Sequence, residues 1–131
     1  MQSPHTFPLR VYYEDTDLAG IVYYANYLKF IERARSEWVR TLGIDQAQLK
    51  ADTGVVFAVR HLTADYLIPA KFDDVLTITT EVLDAKGARM VLDQRVLRGE
   101  AVLFDARVTL VAIGANGAPA RLPAALRAAL A

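Results

Sequence analysis

The chain contains one long stretch with helical spacing, YANYLKFIERARSEWVRTLG, residues 24–43. Its apolar side chains recur every three or four residues, which predicts one face of an α-helix over residues 24–42. The recurring positions are Tyr24, Tyr27, Ile31, Ala34, Trp38 and Leu42. Leu28, Phe30 and Val39 widen this apolar face, so most of the helix is expected to be covered. Gly43 is the predicted stop, because glycine commonly follows the last turn of a helix.

The pattern changes to strands on both sides of this helix. A first strand is predicted over 7–13, and further strands over 55–67, 76–82, 89–97 and 102–112. Tight turns at Lys86-Gly87 and Arg98-Gly99 join the middle strands. The last strand has the clearest alternation, with Val102, Phe104, Ala106, Val108, Leu110 and Ala112 on one face. Short helices are predicted over 45–51 and, after Pro119 and Pro123, over 124–130.

This order predicts an α+β fold, in which one long helix lies on a curled antiparallel sheet. The length of 131 residues fits a single domain over 1–131. The edges of a small open sheet expose unpaired backbone groups, and pairing across a two-fold axis would protect them. At least a homodimer is therefore expected.

The composition excludes several classes of function. Lys plus Arg and Asp plus Glu both total 15, so the charge balance indicates neither a nucleic acid nor an anionic membrane as partner. The absence of cysteine excludes thiol nucleophiles and Cys-ligated metals. No apolar signal core and no run approaching about 20 apolar residues is present. A cytoplasmic location without membrane insertion is the expectation.

Elimination leaves a carboxylate as the best catalytic candidate. The two histidines, His5 and His61, are too few for a three-His zinc site, and no HExxH motif is present. The two serines, Ser3 and Ser36, lie at the terminus and within the predicted helix, where neither has the context of a nucleophile elbow. No metal site is predicted.

Two carboxylates lie just before the helix, in the run Asp15-Thr16-Asp17 that leads to Gly20. The spacing is like the start of a calcium loop but fails at its fifth and twelfth positions, Ala19 and Asn26. Asp15 is interpreted as a turn-capping residue. Asp17 can lie close to the N-terminus of the helix, whose free N–H groups can hold a carbonyl oxygen as it becomes an oxyanion. Together these groups would form a minimal apparatus for acyl transfer.

Tyrosines are concentrated around the same stretch. Five of the six lie between residues 12 and 27, at Tyr12, Tyr13, Tyr23, Tyr24 and Tyr27. At least half of them are expected to fill the core of the strand and helix. The functional interpretation of the others is an aromatic wall for an acyl or aryl group.

Three motifs closely resemble a known family. They are YEDTDLAGIVYYANYL over 13–28, FIERAR over 30–35 and DYLIPAKFDD over 65–74. These segments are similar to the 4-hydroxybenzoyl-CoA thioesterase-like hotdog proteins, with the Tol–Pal-associated acyl-CoA thioesterases as the nearest branch. That branch usually has a histidine where this chain has Tyr24.

The resemblance implies an acyl-CoA thioesterase with a five-stranded antiparallel sheet wrapped around the long helix. It also implies a homodimer or homotetramer with active sites at the subunit interface. By this resemblance Asp17 is the catalytic carboxylate, and the Tyr24 N–H polarises the thioester carbonyl. Gly20, Val22 and Tyr23 would line the approach, while Asn26 and Tyr27 would position the turn. No cofactor is implied, because coenzyme A is part of the substrate.

The phosphates of coenzyme A need cationic partners. Lys86 and Arg89 flank the turn at Gly87 and are the first candidates, followed by Arg60 and Lys71. Each of them can equally be a solvated residue at a sheet edge.

The sequence leaves the mechanism and two other functions open. Asp17 could attack the thioester to give an anhydride, or act as a base toward water. A hotdog hydratase or dehydratase is one alternative function, although the shortage of histidines near the helix disfavours it. A non-enzymatic acyl-CoA binding protein is the other, since a fold does not guarantee activity.

Overall fold

A computed structural model describes residues 3–129. Its elements in chain order are β1 (His5–Arg10), a 3-10 turn (Tyr13–Asp15), α1 (Asn26–Thr41), α2 (Gln46–Thr53), β2 (Val56–Tyr66), β3 (Val75–Lys86), β4 (Arg89–Arg98), β5 (Ala101–Ile113) and α3 (Ala124–Ala128). The five strands form one sheet in the order β1-β3-β4-β5-β2, and every neighbouring pair is antiparallel. The predicted α+β arrangement is confirmed.

Helix α1 buries one face against the sheet. Its buried residues are Tyr27, Phe30, Ile31, Ala34, Trp38 and Val39. Fully burying a large apolar side chain stabilises a fold by about 1.5–3 kcal/mol, so this face is the main anchor of the helix. Gly43 ends the helix as predicted, with a φ of 81° and its N–H bonded to the Arg40 carbonyl at 3.0 Å.

Two expectations about this helix were wrong. The helix begins at Asn26 rather than Tyr24, and the Tyr24 side chain is exposed. The face opposite the sheet is not covered by residues 3–129, since Lys29, Arg33 and Arg40 lie on this face and are exposed. Leu28 also remains partly exposed.

Strand β1 is shorter than the sequence predicted. It ends at Arg10, because Val11 instead exchanges backbone hydrogen bonds with the turn at Asp73 and Asp74. The next residues form the 3-10 turn, in which the Asp15 carboxylate accepts from the Tyr12 N–H at 2.8 Å. Tyr12 and Tyr13 are therefore exposed loop residues rather than strand residues.

A bulge shifts the register at the start of β5. Phe104, Ala106, Val108, Leu110 and Ala112 are buried as predicted, but Val102 is only partly buried. Val96 lies opposite Phe104 while Leu97 lies opposite Val102, so Leu103 is the extra residue and is itself buried. The two-residue period is therefore broken between Val102 and Phe104.

A polar network joins the helix to the middle of the sheet. The buried Gln94 of β4 donates to the Ile31 carbonyl at 3.0 Å and to the Thr80 hydroxyl at 2.9 Å. Its Oε1 accepts from Arg35 at 3.0 Å. Burial lowers the pKa of the Arg35 guanidinium, and the Glu32 charge opposes this. All the groups of the Gln94 amide have partners, so the network fixes how α1 lies on the sheet without an unsatisfied amide.

The C-terminal segment covers one end of the sheet. The Leu122 N–H donates to the Gly87 carbonyl at 2.9 Å, and the Leu122 and Leu126 side chains enter the core. The helix predicted over 124–130 is observed over Ala124–Ala128, and residue 130 lies outside the described part of the chain.

Candidate active site

The loop before α1 is a narrow hairpin with Asp17 at its start. Thr16 bridges to Val22, and the Asp17 N–H donates to the Ile21 carbonyl at 2.9 Å. The Asp17 carbonyl accepts from the Gly20 N–H at 3.0 Å, which closes a turn. Gly20 has a φ of 81°, a conformation that favours glycine, so its role is to shape this turn.

The Asp17 carboxylate is exposed, and its two oxygens differ in their hydrogen bonds. Its Oδ1 accepts from the Ala19 N–H at 2.9 Å, which orients the side chain on its own turn. Within residues 3–129 no hydrogen bond reaches Oδ2. One carboxylate oxygen is therefore free to act on a substrate or a water molecule.

Asp15 has a structural role, as the sequence indicated. Its side chain caps the 3-10 turn, and its carbonyl accepts from the Tyr23 N–H at 3.0 Å and from Asn26 Nδ2 at 2.9 Å. Asn26 is the first residue of α1, so its amide ties the Asp15–Asp17 loop to the start of the helix. This is the turn-positioning contact expected of Asn26.

The start of α1 presents an unused backbone donor. The Tyr23 carbonyl accepts from the Asn26 N–H at 2.8 Å, which fixes the plane of the peptide that joins Tyr23 to Tyr24. In a trans peptide the N–H points opposite to the carbonyl, so the Tyr24 N–H is directed away from the helix. It donates to no acceptor within the described residues. A backbone N–H without an acceptor is available to donate to a bound carbonyl oxygen.

An apolar groove of about 280 Å³ opens beside this donor. Its lining residues are Ile21, Val22, Tyr24, Tyr27, Tyr66, Leu67, Ile68 and Pro69. An open, mostly apolar groove with few polar groups suits the acyl part of a substrate. Two of the five clustered tyrosines, Tyr24 and Tyr27, line this groove together with Tyr66.

Tyr27 serves mainly as a support. It is 3% exposed, and its ring stacks on Phe104 with centroids 5.0 Å apart. Its hydroxyl accepts from the Ala70 N–H at 3.0 Å, so Tyr27 fixes the segment opposite the loop rather than the loop itself. Burial raises the pKa of Tyr27, and the hydroxyl therefore stays protonated at neutral pH.

Tyr23 packs against Tyr24. The rings of Tyr23 and Tyr24 are 4.9 Å apart. The phenol of Tyr24 raises the pKa of Tyr23 most, followed by partial desolvation and the negative charge of Asp17. The phenol of Tyr23 thus stays neutral at pH 7.

Lys86 and Arg89 are not brought to this loop within one chain. The loop contacts the residues before Val75, through the pairs Ile21–Lys71 and Val22–Ala70. Lys86 is the last of the 12 residues of β3, so it lies at the opposite end of that strand from Val75, up to about 36 Å along it. Arg89 is also paired with Asp84 at 3.3 Å. Of the predicted cations, Lys71 is the one that lies beside the loop.

Sequence reasoning did not assign a role to Tyr66, Ile68 or Pro69. All three lie in the segment DYLIPAKFDD, which was recognised only as a matching motif. The Tyr66 hydroxyl donates to the Tyr24 carbonyl at 2.9 Å across 42 residues of sequence. Burial raises the pKa of Tyr66, and the nearby Tyr24 and Tyr27 add to the shift. The motif indicated that this segment matters, but the contact between Tyr66 and Tyr24 could be identified only from the folded structure.

Residues 3–129 lack two features of other kinds of site. No cluster of three or more His, Cys, Asp or Glu side chains has a geometry that could hold a metal ion. None of the helices in this range has both the length and the apolar character needed to span a membrane.

Comparison with known proteins places the chain in a family. A model of the thioesterase superfamily matches residues 19–105. The acyl-CoA thioesterase YbgC of Haemophilus influenzae is 45% identical over 108 residues, which cover 82% of this chain and 79% of the relative. The acyl-CoA thioester hydrolase YbgC of Escherichia coli O157:H7 is 44% identical over 105 residues, covering 80% and 78% of the two chains.

Solved structures agree with these relatives. A probable thioesterase from Bartonella henselae superposes with a TM-score of 0.88 at 40% identity, covering 92% of this chain and all of the other. A gentisyl-coenzyme A thioesterase superposes with a TM-score of 0.86 at 27% identity, covering 96% and 99%. The resemblance noted in the sequence is confirmed: the chain belongs to the thioesterase superfamily of hotdog-fold proteins.

Proposed function

We propose that this chain hydrolyses the thioester of an acyl-CoA to a free acid and coenzyme A, with Asp17 and the Tyr24 N–H as the acting groups. The acyl-CoA thioesterase activity is supported by relatives of that name at 44–45% identity. One observation carries the site: on one short loop, Asp17 Oδ2 and the Tyr24 N–H, two residues before α1, have no hydrogen-bond partner within residues 3–129.

In the proposed mechanism, the Tyr24 N–H and the Asp17 carboxylate act together on the thioester. The Tyr24 N–H donates to the thioester oxygen and stabilises the negative charge that develops on it. In one route, Asp17 attacks the carbonyl carbon, the thiolate of coenzyme A leaves, and water hydrolyses the resulting anhydride. In the other route, Asp17 takes a proton from water as the water oxygen attacks the carbonyl carbon, and the tetrahedral intermediate then breaks its C–S bond and releases the thiolate of coenzyme A. Hydrolysis by either route requires no cofactor.

The remaining predicted residues have supporting roles in this proposal. Val22, Tyr24 and Tyr27 line the acyl groove, and Tyr23 borders the carboxylate. Gly20 shapes the turn, and Asn26 ties the loop to the helix. These positions correspond to binding and orienting the thioester rather than to reacting with it.

An oligomer with interface active sites is part of the proposal. Strand β2 is an edge strand that leads directly through Tyr66 into the groove residues Leu67 and Ile68. A second copy paired along β2 would therefore reach the site. Lys86 and Arg89 could meet the phosphates of coenzyme A only from another subunit, because they lie far from Asp17 in their own chain.

Two broader statements belong to the same proposal. The predicted single hotdog thioesterase domain over 1–131 is supported across residues 3–129 by one continuous sheet and one hydrophobic core, and residues 1–2 and 130–131 lie outside the described part of the chain. The protein acts in the cytoplasm, because coenzyme A thioesters are made and used inside cells.

The decisive test replaces Asp17 with asparagine, which keeps the size but removes the charge. Thiol release from a panel of aliphatic and aromatic acyl-CoAs should fall by about 100-fold or more, a loss of the size seen when a transition-state group is removed. The control is Glu14→Gln, which neutralises an exposed carboxylate three residues away and should retain full turnover.

Two outcomes would contradict the assignment. Equal turnover by wild type and Asp17→Asn would exclude Asp17 as the acting carboxylate. Tight acyl-CoA binding without turnover of any substrate would instead favour a binding protein.

A further inference from the structure

The peptide that carries the Tyr24 N–H is held between two anchor points. On one side the Val22 N–H donates to the Ala70 carbonyl at 2.9 Å. On the other side the Tyr24 carbonyl accepts from the Tyr66 hydroxyl at 2.9 Å. Both anchors belong to residues 66–70, which face the loop across the apolar groove. The position of the oxyanion donor is therefore set by this segment as well as by the helix.

Residues 66–70 are themselves well fixed. The N–H groups of Leu67 and Ile68 donate to the Leu103 carbonyl at 2.9 and 3.1 Å. The Ala70 N–H donates to the buried hydroxyl of Tyr27 at 3.0 Å. The segment thus has backbone bonds to β5 and to the core, and it can serve as a rigid reference for the loop.

The ring of Tyr66 is oriented by three aromatic neighbours. Its centroid lies 6.2 Å from Tyr24, 5.5 Å from Tyr27 and 4.9 Å from Phe104, all with edge-to-face angles. Such contacts restrict the ring, so little freedom remains to be lost when the hydroxyl donates. Tyr66 also lines the groove, which places the hydroxyl beside the site where the acyl group would lie.

We propose that Tyr66 is a positioning residue for thioester hydrolysis, which holds the oxyanion donor at Tyr24 through the Tyr24 carbonyl. The inference rests on the proposed function, since it assigns Tyr66 to the donor of that reaction. Tyr66 itself touches no reacting atom. Its effect arises because the transition-state oxyanion needs a donor within about 2.7–3.1 Å, whereas ground-state binding in the groove does not.

The test is Tyr66→Phe, which keeps the ring and removes only the hydroxyl. The kcat for acyl-CoA hydrolysis should fall about 10-fold, the factor that corresponds to a single hydrogen bond, while KM stays within about two-fold. The matched control is Tyr13→Phe, which removes an exposed hydroxyl that makes no hydrogen bond within residues 3–129. It should leave kcat unchanged.

A binding measurement separates positioning from simple structural damage. The Kd of a non-hydrolysable acyl-CoA thioether and the melting temperature should both stay close to wild type in Tyr66→Phe. A parallel loss of kcat, thioether binding and melting temperature would overturn the inference, because it would show that the hydroxyl supports the whole groove.

The outcomes also distinguish this inference from the function on which it rests. Wild-type kcat in Tyr66→Phe, together with an inactive Asp17→Asn variant, would overturn the role of Tyr66 alone. No turnover by the wild-type chain on any acyl-CoA would overturn the proposed function, and the role of Tyr66 with it.

Discussion

At the scale of single residues, two aspartates have opposite electrostatic settings. Burial alone would raise the pKa of Asp74, but the Lys71 N–H at 2.8 Å and the Arg98 guanidinium at 2.7 Å outweigh it and hold the pKa below its ordinary value. Asp93 lies on the outer face of the sheet, where burial and then the Asp105 charge raise its pKa, against the opposing charge of Arg95. The ionised form is stabilised by folding in the first case and disfavoured in the second.

These settings predict opposite effects of two Asp→Asn substitutions at pH 7. Asp74→Asn should lower the free energy of unfolding by about 1 kcal/mol, a modest figure because solvent reaches part of the Arg98–Asp74 pair. Asp93→Asn should raise it by a few tenths of a kcal/mol, because it removes a charge that folding disfavours. Urea unfolding at several pH values measures both differences.

The pH dependence provides the control for these two variants. The folded-state pKa of Asp74 is lowered, so its contribution is present above the unfolded value of about 3.9 and disappears only as the pH falls below it. The folded-state pKa of Asp93 is raised, so its ionised form destabilises the fold at neutral pH. As the pH falls, this penalty begins to disappear while the pH is still above the unfolded value of about 3.9. Equal shifts in the same direction for both variants would contradict this account.

The sequence predicts different roles for two neighbouring carboxylates but says little about their distant partners. Asp15 and Asp17 were distinguished because local turn chemistry and the nearby helix start are properties of adjacent residues. The contact between Tyr66 and Tyr24 spans 42 residues, and no local pattern encodes it. The sequence therefore singles out residues of the loop and the adjoining helix start, whereas the distant contact from Tyr66 could not be read from it.

At the scale of elements, the end of α1 depends on the conformation of Gly43. Its φ of 81° lies in the left-handed region, while a Cβ added there would meet no atom within 4 Å. A side chain at this position therefore costs free energy through the left-handed backbone conformation, and not through contact with neighbouring atoms.

This conformation predicts a graded loss of stability at Gly43. Gly43→Ala should lower the free energy of unfolding by about 1 kcal/mol, because alanine is disfavoured in the left-handed region. Gly43→Asn should lose less, since asparagine tolerates that region. Urea unfolding of the two variants under the same conditions measures the difference, and equal losses would show that the left-handed conformation is not the cause.

The bounds of elements were predicted less well than their existence. Tyr24 fits the helical spacing, yet its carbonyl is held by Tyr66, and the helix starts two residues later. In β5 the run Val102, Leu103 and Phe104 is apolar throughout, so its composition does not reveal the bulge at Leu103. Tertiary contacts decided both cases, and periodicity does not contain them.

At the scale of the whole molecule, the two sheet edges differ in how they are protected. Strand β1 has six residues and includes Pro8, and both features make an edge a poor template for further pairing. Strand β2 has 11 residues and no proline, and it exposes Val56 and Val59. One bulge between Val59 and His61 and the exposed charges of Arg60 and Asp65 give it some protection, but its first residues, Val56–Val59, carry no charge. Strand β2 is therefore the edge expected to pair with a second copy.

Which edge strand pairs with a second copy can be tested by introducing a lysine into β2 in one variant and into β1 in another. Val59→Lys introduces a charge into the exposed apolar part of β2, whereas Thr6→Lys places it on the exposed face of β1. Sedimentation should give wild type and Thr6→Lys a mass of at least twice 14.5 kDa. Val59→Lys should shift toward 14.5 kDa, because an unpaired charge at a strand interface is costly to desolvate.

Thiol release by the same variants connects the edge to the site. If the groove at the end of β2 is completed by a partner, Val59→Lys should lose turnover in proportion to its loss of oligomer, and higher protein concentration should restore part of both. A monomeric wild-type chain would overturn the β2 pairing. A fully active Val59→Lys monomer would leave the pairing intact but show that each chain contains a complete site.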